Sequence, residues 1–309
     1  MFSSDTFFRI NKIIGKNYVE RAVIKAIKND IAIYAVHTAL DNHQEGVNKI
    51  FSNTLGLINT KILIPKQNFI QKLITYTTSE NAEKLLNSLF EAGAGKIGNY
   101  ENCSFSSVGN STFQGNENSY PVVGKKFEFI ESSEKKIEII FEKYMQNNIL
   151  KALFSSHIYE EVAYEIYNLE NQHQNIGLGM VGELENEMQE QDFLEFVKLK
   201  MQANGIRHSQ FLNKNIKKVA VLGGSGSTAI KQAIAAGADV FLTADLKYHN
   251  YFEAENKILL ADIGHFESER YTKNYIYDYL TKKISNFANS NLTNNIYLST
   301  INTNPVKYL

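Results

Sequence analysis

Short, almost entirely apolar runs that alternate with helix-like segments constrain the fold of this 309-residue chain more than any other feature. The runs are Ile31–Thr38 (IAIYAVHT), Lys217–Leu222 (KKVAVL), Asp239–Thr243 (DVFLT) and Ile258–Ala261 (ILLA). Strands that are apolar along their whole length are typical of parallel sheets that helices cover on both faces. Segments with helical apolar spacing alternate with these runs, beginning with Val19–Asn29 before the first of them. The sequence therefore predicts an α/β fold, in which ligands bind just outside the carboxyl ends of the strands.

Polar side chains that can bind metals follow three of these predicted strands. Asp41 follows the first run, Asp245 and His249 follow the third, and His265 and Glu269 follow the fourth. His265 and Glu269 are four residues apart at a predicted helix start, so an imidazole nitrogen and a carboxylate oxygen can converge on one point. An exposed helix start with an acidic first turn shows the same spacing. Three strand ends that each carry His or carboxylate groups favour a shared polar or metal site over that simpler interpretation.

A glycine-rich turn follows the run Lys217–Leu222. Gly224–Ala229 (GSGSTA) fits the pattern G-x-G-x-x-A after a strand, and Asp245 ends the next strand, where a ribose-binding acid would lie. Three interpretations stay open: a dinucleotide site, an anion at the helix N-terminus, or a structural turn of small residues. A dinucleotide-binding domain needs more βαβ units than this region supplies, which counts against the first.

Composition excludes several functional classes. The formal net charge of −1 gives no electrostatic basis for binding nucleic acid or an anionic membrane. No apolar run reaches the length of a transmembrane helix, and the N-terminus lacks the pattern of a signal peptide. The single Cys103 excludes an intramolecular disulfide and a multi-cysteine zinc site. We therefore expect a cytoplasmic protein.

The middle of the chain changes character after Pro65. Predicted elements follow one another in the order β-α-β-β-α-β from Phe69–Tyr76 to Glu165–Asn168, which suggests a ferredoxin-like α+β module. Two aromatic-rich loops of this module, Gly93–Phe105 and Ser155–Tyr164, fit either a small-ligand site or a packing and oligomer surface.

Seven segments, in order along nearly the whole chain, resemble one protein family. They are HTALDNHQEGVN (37–48), GAGKIGNYENCSF (93–105), SHIYEEVAYEIY (156–167), GGSGS (223–227), TADLKYH (243–249), GHFESER (264–270) and NTNPVKYL (302–309). The chain resembles the Nif-three-like dinuclear metal-centre proteins, often labelled GTP cyclohydrolase 1 type 2 homologs. This resemblance implies two similar α/β/α halves around a two-metal site, a PII-like or CutA-like insert, and assembly into hexameric rings.

The resemblance also implies domain boundaries. Residues 1–66 are expected to be the remainder of a truncated N-terminal α/β half, and residues 67–173 the inserted ferredoxin-like (PII-like) module. Residues 174–309 are expected to form the C-terminal α/β half, which carries the G-H-x-x-x-E metal motif.

The family's metal ligands, carried over by motif, fall on Asp41, His265 and Glu269. His37, on the predicted strand before Asp41, is expected to be a hydrogen-bonded core residue. The family's adjacent His pair, in an H-H-P motif upstream of the segment that matches Lys12–Glu20, has no counterpart in this sequence. We therefore expect one partial metal site of weakened affinity, or none, where intact relatives hold two ions per subunit. We also expect an uncovered sheet edge, which favours aberrant association.

The function implied by the resemblance is that of a metal-dependent hydrolase, impaired by loss of the His pair. The cofactor is expected to be divalent zinc, manganese or iron, all compatible with mixed His and carboxylate ligands. His249 or Asp245 would serve as general base or as a support for a ligand. The partners would be a small-molecule substrate and further copies of the chain. A non-enzymatic ring-shaped adaptor or metal-binding regulator, and a nucleotide-binding protein that uses Gly224–Ala229, are the alternatives.

Overall fold

The structure is a computed structural model that describes residues 13–287 and 296–309. It is a mixed α/β fold with two sheets, so the predicted fold class is confirmed. The chain divides into two compact units, each described by itself below. The first comprises the described residues of 1–65 and 175–309, and the second is Lys66–Gln174.

The regular elements are numbered here in chain order. The helices are α1 (Tyr18–Lys28), α2 (Thr38–Asp41), α3 (Val47–Thr54), α4 (Ala82–Glu91), α5 (Gln146–Ser156), α6 (Glu190–Met201), α7 (Ile230–Ala235), α8 (His265–Glu269) and α9 (Thr272–Phe287). The strands are β1 (Ile58–Pro65), β2 (Ile70–Thr77), β3 (Ser104–Gln114), β4 (Phe129–Glu142), β5 (Tyr164–Leu169), β6 (Gly177–Gln189), β7 (Arg207–His208), β8 (Asn215–Ser225), β9 (Val240–Ala244) and β10 (Leu259–Asp262).

The first unit is built on a six-stranded sheet of order β1-β6-β8-β9-β10-β7. Strands β8, β9 and β10 are parallel, and the strands outside them pair antiparallel. Alternate residues of β8 point to opposite faces. Val219 and Val221 pack with Phe51 of α3 and Phe193 of α6, whereas the next residues along β8 pack with α7. Burial on both faces explains why these strands are apolar throughout.

The run Ile31–Thr38, predicted as a buried strand, is not one. It has no regular structure before α2, and the side chains of Ile31, Ile33 and Tyr34 are 60%, 46% and 89% exposed. A strand needs a neighbour for its backbone N–H and C=O groups, and the place beside β8 is taken by β6. His37 is correspondingly exposed, bonded to the Thr38 hydroxyl at 2.8 Å, and the prediction that it lies in the core is wrong.

Strands β1 and β6 were not predicted from the sequence. Glycine disfavours strands, and β6 contains Gly177, Gly179 and Gly182. A Cβ atom at Gly177 would lie 2.3 Å from the Ile64 carbonyl oxygen, and one at Gly182 would lie 2.9 Å from that of Ile58. Gly177 and Gly182 therefore mark the close approach of the β1 backbone.

One further element, a strand predicted at Asn295–Ser299, is not found. Asn295 lies outside the described residues, and residues 296–299 form no strand.

The second unit has the predicted order β-α-β-β-α-β. Its sheet order is β3-β4-β2-β5, and all neighbouring strands are antiparallel, as in the ferredoxin-like arrangement. Helices α4 and α5 share one core with the sheet, in which Leu73, Leu85, Ile139 and Leu153 are fully buried.

The two loops proposed as a ligand site in this unit lie at opposite ends of its sheet. Gly95 donates its backbone N–H to Ile140, which pairs with Lys72 near the start of β2. His157, in the other loop, bonds to the Tyr76 carbonyl near the end of β2. The structure therefore does not bring the two loops together.

No helix among the described residues combines the length and the apolar character needed to cross a bilayer.

A matched pair of aromatic truncations tests the assignment of Ile31–Thr38. Phe241→Ala, in β9, removes a fully buried ring and is expected to cost about 3–5 kcal/mol of unfolding free energy. Tyr34→Ala removes an exposed ring and is expected to change that free energy by less than about 0.5 kcal/mol. Urea unfolding, monitored by circular dichroism, measures both free energies. A loss of several kcal/mol for Tyr34→Ala would show that Ile31–Thr38 is a buried strand after all.

Candidate metal centre

The candidate site lies where the parallel strands β8, β9 and β10 end at the same edge of the sheet. β8 extends into the glycine-rich segment and ends at Ser225, Asp245 follows β9, and His265 begins α8 three residues after the last residue of β10. Because the three strands run in the same direction, their carboxyl ends and the turns that leave them are neighbours.

His265 and Glu269 form the centre of this site. Gly264, with φ of +94°, turns the chain from β10 into the short helix α8. His265 Nε2 lies 3.5 Å from Glu269 Oε1. Two ligands of one tetrahedral zinc ion, bound at about 2.0–2.2 Å, are separated by about 3.4 Å. The spacing of these two atoms therefore suits a shared cation.

Asp245 contacts the opposite nitrogen of the same ring. His265 Nδ1 lies 2.7 Å from Asp245 Oδ2 and donates to it. An ionised carboxylate only accepts hydrogen bonds, so this contact keeps the proton on Nδ1 and leaves the Nε2 lone pair for a metal. Asp245 itself adopts a left-handed backbone, with φ of +56°.

Gly224 keeps space open beside the two donor atoms. Its φ is +71°, and a Cβ atom there would lie 2.7 Å from Glu269 Oε1 and 3.4 Å from His265 Nε2. The Gly224 N–H donates to the Ser268 hydroxyl at 2.9 Å, and the Gly223 N–H donates to the Asn48 side chain at 2.9 Å. Because protein groups use both amide N–H groups, this part of the turn supports the structural interpretation over a phosphate cradle.

Asp41, at the end of α2, is linked to the same turn. The Asn48 side chain that accepts from Gly223 also donates to the Asp41 carbonyl oxygen at 2.9 Å. Burial raises the pKa of Asp41 to about 6, and the negative charge of Glu269 adds to this effect. Positive charge on His37 and His265 opposes it. The Asp41 carboxyl group is therefore electrostatically coupled to the His265–Glu269 pair.

The surrounding carboxylates hold a proton on His265. Hydrogen bonding to Glu269, and then to Asp245, raises its pKa to about 9 although burial opposes the charge. Two carboxyl groups thus contact one imidazole, with Asp41 coupled to it electrostatically, and at neutral pH a proton supplies the positive charge that this arrangement favours. A divalent cation could replace that proton.

His265 and Glu269 provide a pair of donor atoms for a cation, and Asp41 is a third donor nearby. They do not form a complete set of ligands. Within residues 13–287 and 296–309, no three His, Cys, Asp or Glu side chains are already spaced to hold one metal ion. His249 is exposed in the 3₁₀ helix Tyr248–Ala254 that comes after β9, with its ring edge-on to Tyr248 at a centroid distance of 5.3 Å. The described contacts do not join His249 to His265.

Sequence reasoning missed the residues that support the site. Ser268 accepts from Gly224 and donates to the His265 carbonyl oxygen at 2.8 Å, and Asn48 joins Asp41 to Gly223. Ser268 lies three residues after His265, on the same side of a helix, so the motif contained a signal for its role. Asn48 had none, because it meets Gly223 across 175 residues of sequence.

Comparison with known proteins shows which protein family the chain resembles. The Duf34/NIF3 (NGG1p interacting factor 3) family model matches residues 6–305. A Bacillus subtilis protein named "GTP cyclohydrolase 1 type 2 homolog" is 36% identical over 291 residues, which cover 94% of this chain and 77% of that relative.

Two solved structures are similar along almost the whole chain. A Bacillus cereus protein related to NIF3 has 35% identity and a TM-score of 0.78, covering 97% of this chain and 80% of that one. A Staphylococcus aureus protein has 28% identity and a TM-score of 0.70, covering 97% and 78%. The resemblance predicted from the seven sequence segments is confirmed, and the chain belongs to the Duf34/NIF3 family.

Proposed function

We propose that this protein is a divalent-metal-dependent hydrolase in which His265 Nε2, Glu269 and Asp41 hold the ion. The observation that carries the proposal is the pair of atoms His265 Nε2 and Glu269 Oε1, 3.5 Å apart beside a residue without a Cβ atom. Such an ion supplies a bound water of lowered pKa and polarises a substrate oxygen. Zinc, manganese and iron all suit one imidazole and two carboxylates.

The chain's own residues have separable roles in this proposal. Asp245 orients the His265 ring through Nδ1, which makes it a support for the ligand rather than a free base. Glu269 and Asp41 contribute negative charge, and burial of Asp41 strengthens its preference for a cation over water. His249, predicted as an alternative base, is exposed and receives no support from the described contacts.

The substrate class comes from the relatives' name. Because related proteins are named GTP cyclohydrolase 1 type 2 homologs, we propose hydrolytic opening of a purine nucleotide ring, with GTP as the first substrate to test. A hexameric ring, a PII-like role for the second unit and a cytoplasmic location stay predictions.

The two alternative functions make different demands. A nucleotide-binding protein would need free N–H groups in the Gly224–Ala229 turn, and the Gly224 N–H is already bonded to Ser268. An adaptor that binds no metal would not need Gly224 beside His265 and Glu269, or Asp245 bonded to the His265 ring. The metal experiment below distinguishes a metal protein from a metal-free adaptor and from a nucleotide-binding protein. A metal-binding regulator would bind the ion and leave GTP intact.

Removal of His265 is expected to lower metal content. In competition titrations with a chromogenic chelator, His265→Ala and Asp41→Ala should each weaken binding of zinc or manganese by at least about tenfold. His249→Ala, an exposed histidine at a neighbouring strand end, is the matched control and should bind as wild type does. Equal metal affinity in all four proteins would show that the assigned ligands are wrong. If metal-loaded wild type leaves GTP intact, the proposed reaction is wrong and the metal site stands.

Metal binding is expected to strengthen as the pH rises. His265 has a pKa of about 9 and must lose its proton to bind the ion through Nε2. Asp41 has a pKa of about 6, so at a pH below that value it must lose a proton as well. Calorimetry in buffers of different ionisation enthalpy should show release of about one proton per ion at pH 7.5 and more at pH 5.5. Binding with no proton release at pH 7.5 would contradict the assignment of His265.

Two glycine substitutions separate backbone strain from loss of the site. Gly224→Ala and Gly237→Ala both place a methyl group on left-handed backbone, with φ of +71° and +68°, and each should cost about 1–2 kcal/mol. The new Cβ at Gly224 meets Glu269 Oε1 at 2.7 Å, whereas the nearest atom at Gly237 is Lys218 Nζ at 3.8 Å. Only Gly224→Ala should therefore weaken metal binding, by about tenfold or more, and equal metal affinities of the two variants would show that Glu269 is not a ligand.

A further inference from the structure

We infer that Asp262 is a positioning residue of the candidate metal centre, because its single carboxylate holds the two turns that carry Asp245 and His265. The inference rests on the proposed function and concerns the support of the site. Asp262 is the last residue of β10 and is 4% exposed. Neither the comparisons nor the sequence motifs give it a role.

The two oxygens of Asp262 bind two different turns. Oδ2 accepts the N–H of Leu246 at 2.9 Å, and Oδ1 accepts the N–H of Gly264 at 3.0 Å. Leu246 directly follows Asp245, and Gly264 directly precedes His265. One rigid, planar group therefore sets the distance between the peptide units that precede His265 and follow Asp245.

The turn at Asp245 requires such support because its backbone is left-handed, whereas glycine adopts the positive φ of Gly264 without strain. Asp245 has φ of +56° and Gly264 has φ of +94°. A residue with a Cβ atom enters this region at a cost of about 1 kcal/mol or more, and keeps it only when its surroundings hold it there. The bonds from Asp262 stabilise the turn at Asp245 and join it to the turn before His265. The 2.7 Å bond between Asp245 and His265 Nδ1 is the result.

Arg207 makes the buried carboxylate tolerable. Strand β7 pairs with β10 so that Arg207 lies opposite Asp262, and its guanidinium forms an ion pair with Asp262 Oδ2. A buried charge is costly unless it is paired and hydrogen-bonded, and Asp262 has both kinds of partner. The carboxylate can therefore stay in the core as a fixed acceptor for Leu246 and Gly264.

The test replaces one acceptor oxygen and leaves the side chain's shape unchanged. Asp262→Asn keeps one acceptor, so one of the two turns loses its bond. We expect zinc or manganese affinity to fall at least about tenfold, the size usual for groups that support a ligand. In the metal-free protein we also expect the downfield His265 Nδ1–H resonance to broaden or disappear, since its bond to Asp245 is no longer set.

Asp239 provides the matched control. Its Oδ2 accepts the N–H groups of Lys217 and Lys218 at 2.9 and 2.7 Å, at the other end of β9. Asp239→Ala removes two backbone hydrogen bonds, one more than Asp262→Asn removes, so it reports the effect of lost stability alone. It should leave metal affinity and the His265 resonance as in wild type. If Asp239→Ala changes them as much as Asp262→Asn does, the effect is one of general stability and the inference is wrong.

A measurement on the wild-type protein keeps the inference testable if Asp262→Asn does not fold. Hydrogen exchange at Leu246 and Gly264 should be slow, because both N–H groups donate to a buried carboxylate; free exchange at either residue overturns the inference. Failure of the proposed function looks different. In that case wild type binds no metal, and the His265 Nδ1–H resonance in wild type and in Asp262→Asn still tests whether Asp262 positions the His265 ring. If wild type binds metal and Asp262→Asn binds it equally well with an unchanged resonance, the positioning role fails and the metal site stands.

Discussion

The parallel pairing of β8, β9 and β10 is the constraint on which the rest of the candidate site depends. It brings three turns to one edge of the sheet although they are far apart in sequence. The pairing persists because both faces of these strands are buried, with Val219 and Val221 on one side and Ala220 and Leu222 on the other. The site therefore obtains its framework from hydrophobic burial, and its chemistry from the few polar residues that follow each strand.

The electrostatics of the site follow from crowding on that edge. Asp245 and Glu269 both contact the His265 imidazole, and burial together with repulsion from the negative charge of Glu269 raises the pKa of Asp41. The protein without metal reduces the repulsion by keeping protons on His265 and, in mild acid, on Asp41. A site that holds protons so firmly has the charge distribution that a divalent ion would stabilise, so the metal binding proposed above would release protons.

The sequence predicted the parts of the structure that local pattern controls. The all-apolar runs of β8, β9 and β10 indicated strands buried on both faces, and the spacing of His265 and Glu269 indicated that their donor atoms meet. It failed where a distant partner decides the outcome. The run Ile31–Thr38 has the composition of a buried strand, yet β6 takes the place beside β8. The glycines of β6 make its sequence look unlike a strand, although Gly177 and Gly182 are there because the β1 backbone passes close to them. A single sequence does not show that contact.

The link between Asp41 and the glycine turn has a consequence for ion selectivity. His265 and Glu269 lie on α8, whereas Asp41 ends α2 and its carbonyl oxygen accepts from the Asn48 side chain, which joins it to Gly223. The Gly177 N–H also donates to the carbonyl oxygen of Asn42, the next residue, at 2.9 Å. In the proposed centre, two donors therefore come from one short helix and the third from a separate segment. We expect a donor on its own segment to accommodate bond lengths from about 2.0 Å for zinc to about 2.5 Å for calcium. The proposed centre would then discriminate between cations by their preference for nitrogen or oxygen more than by their size.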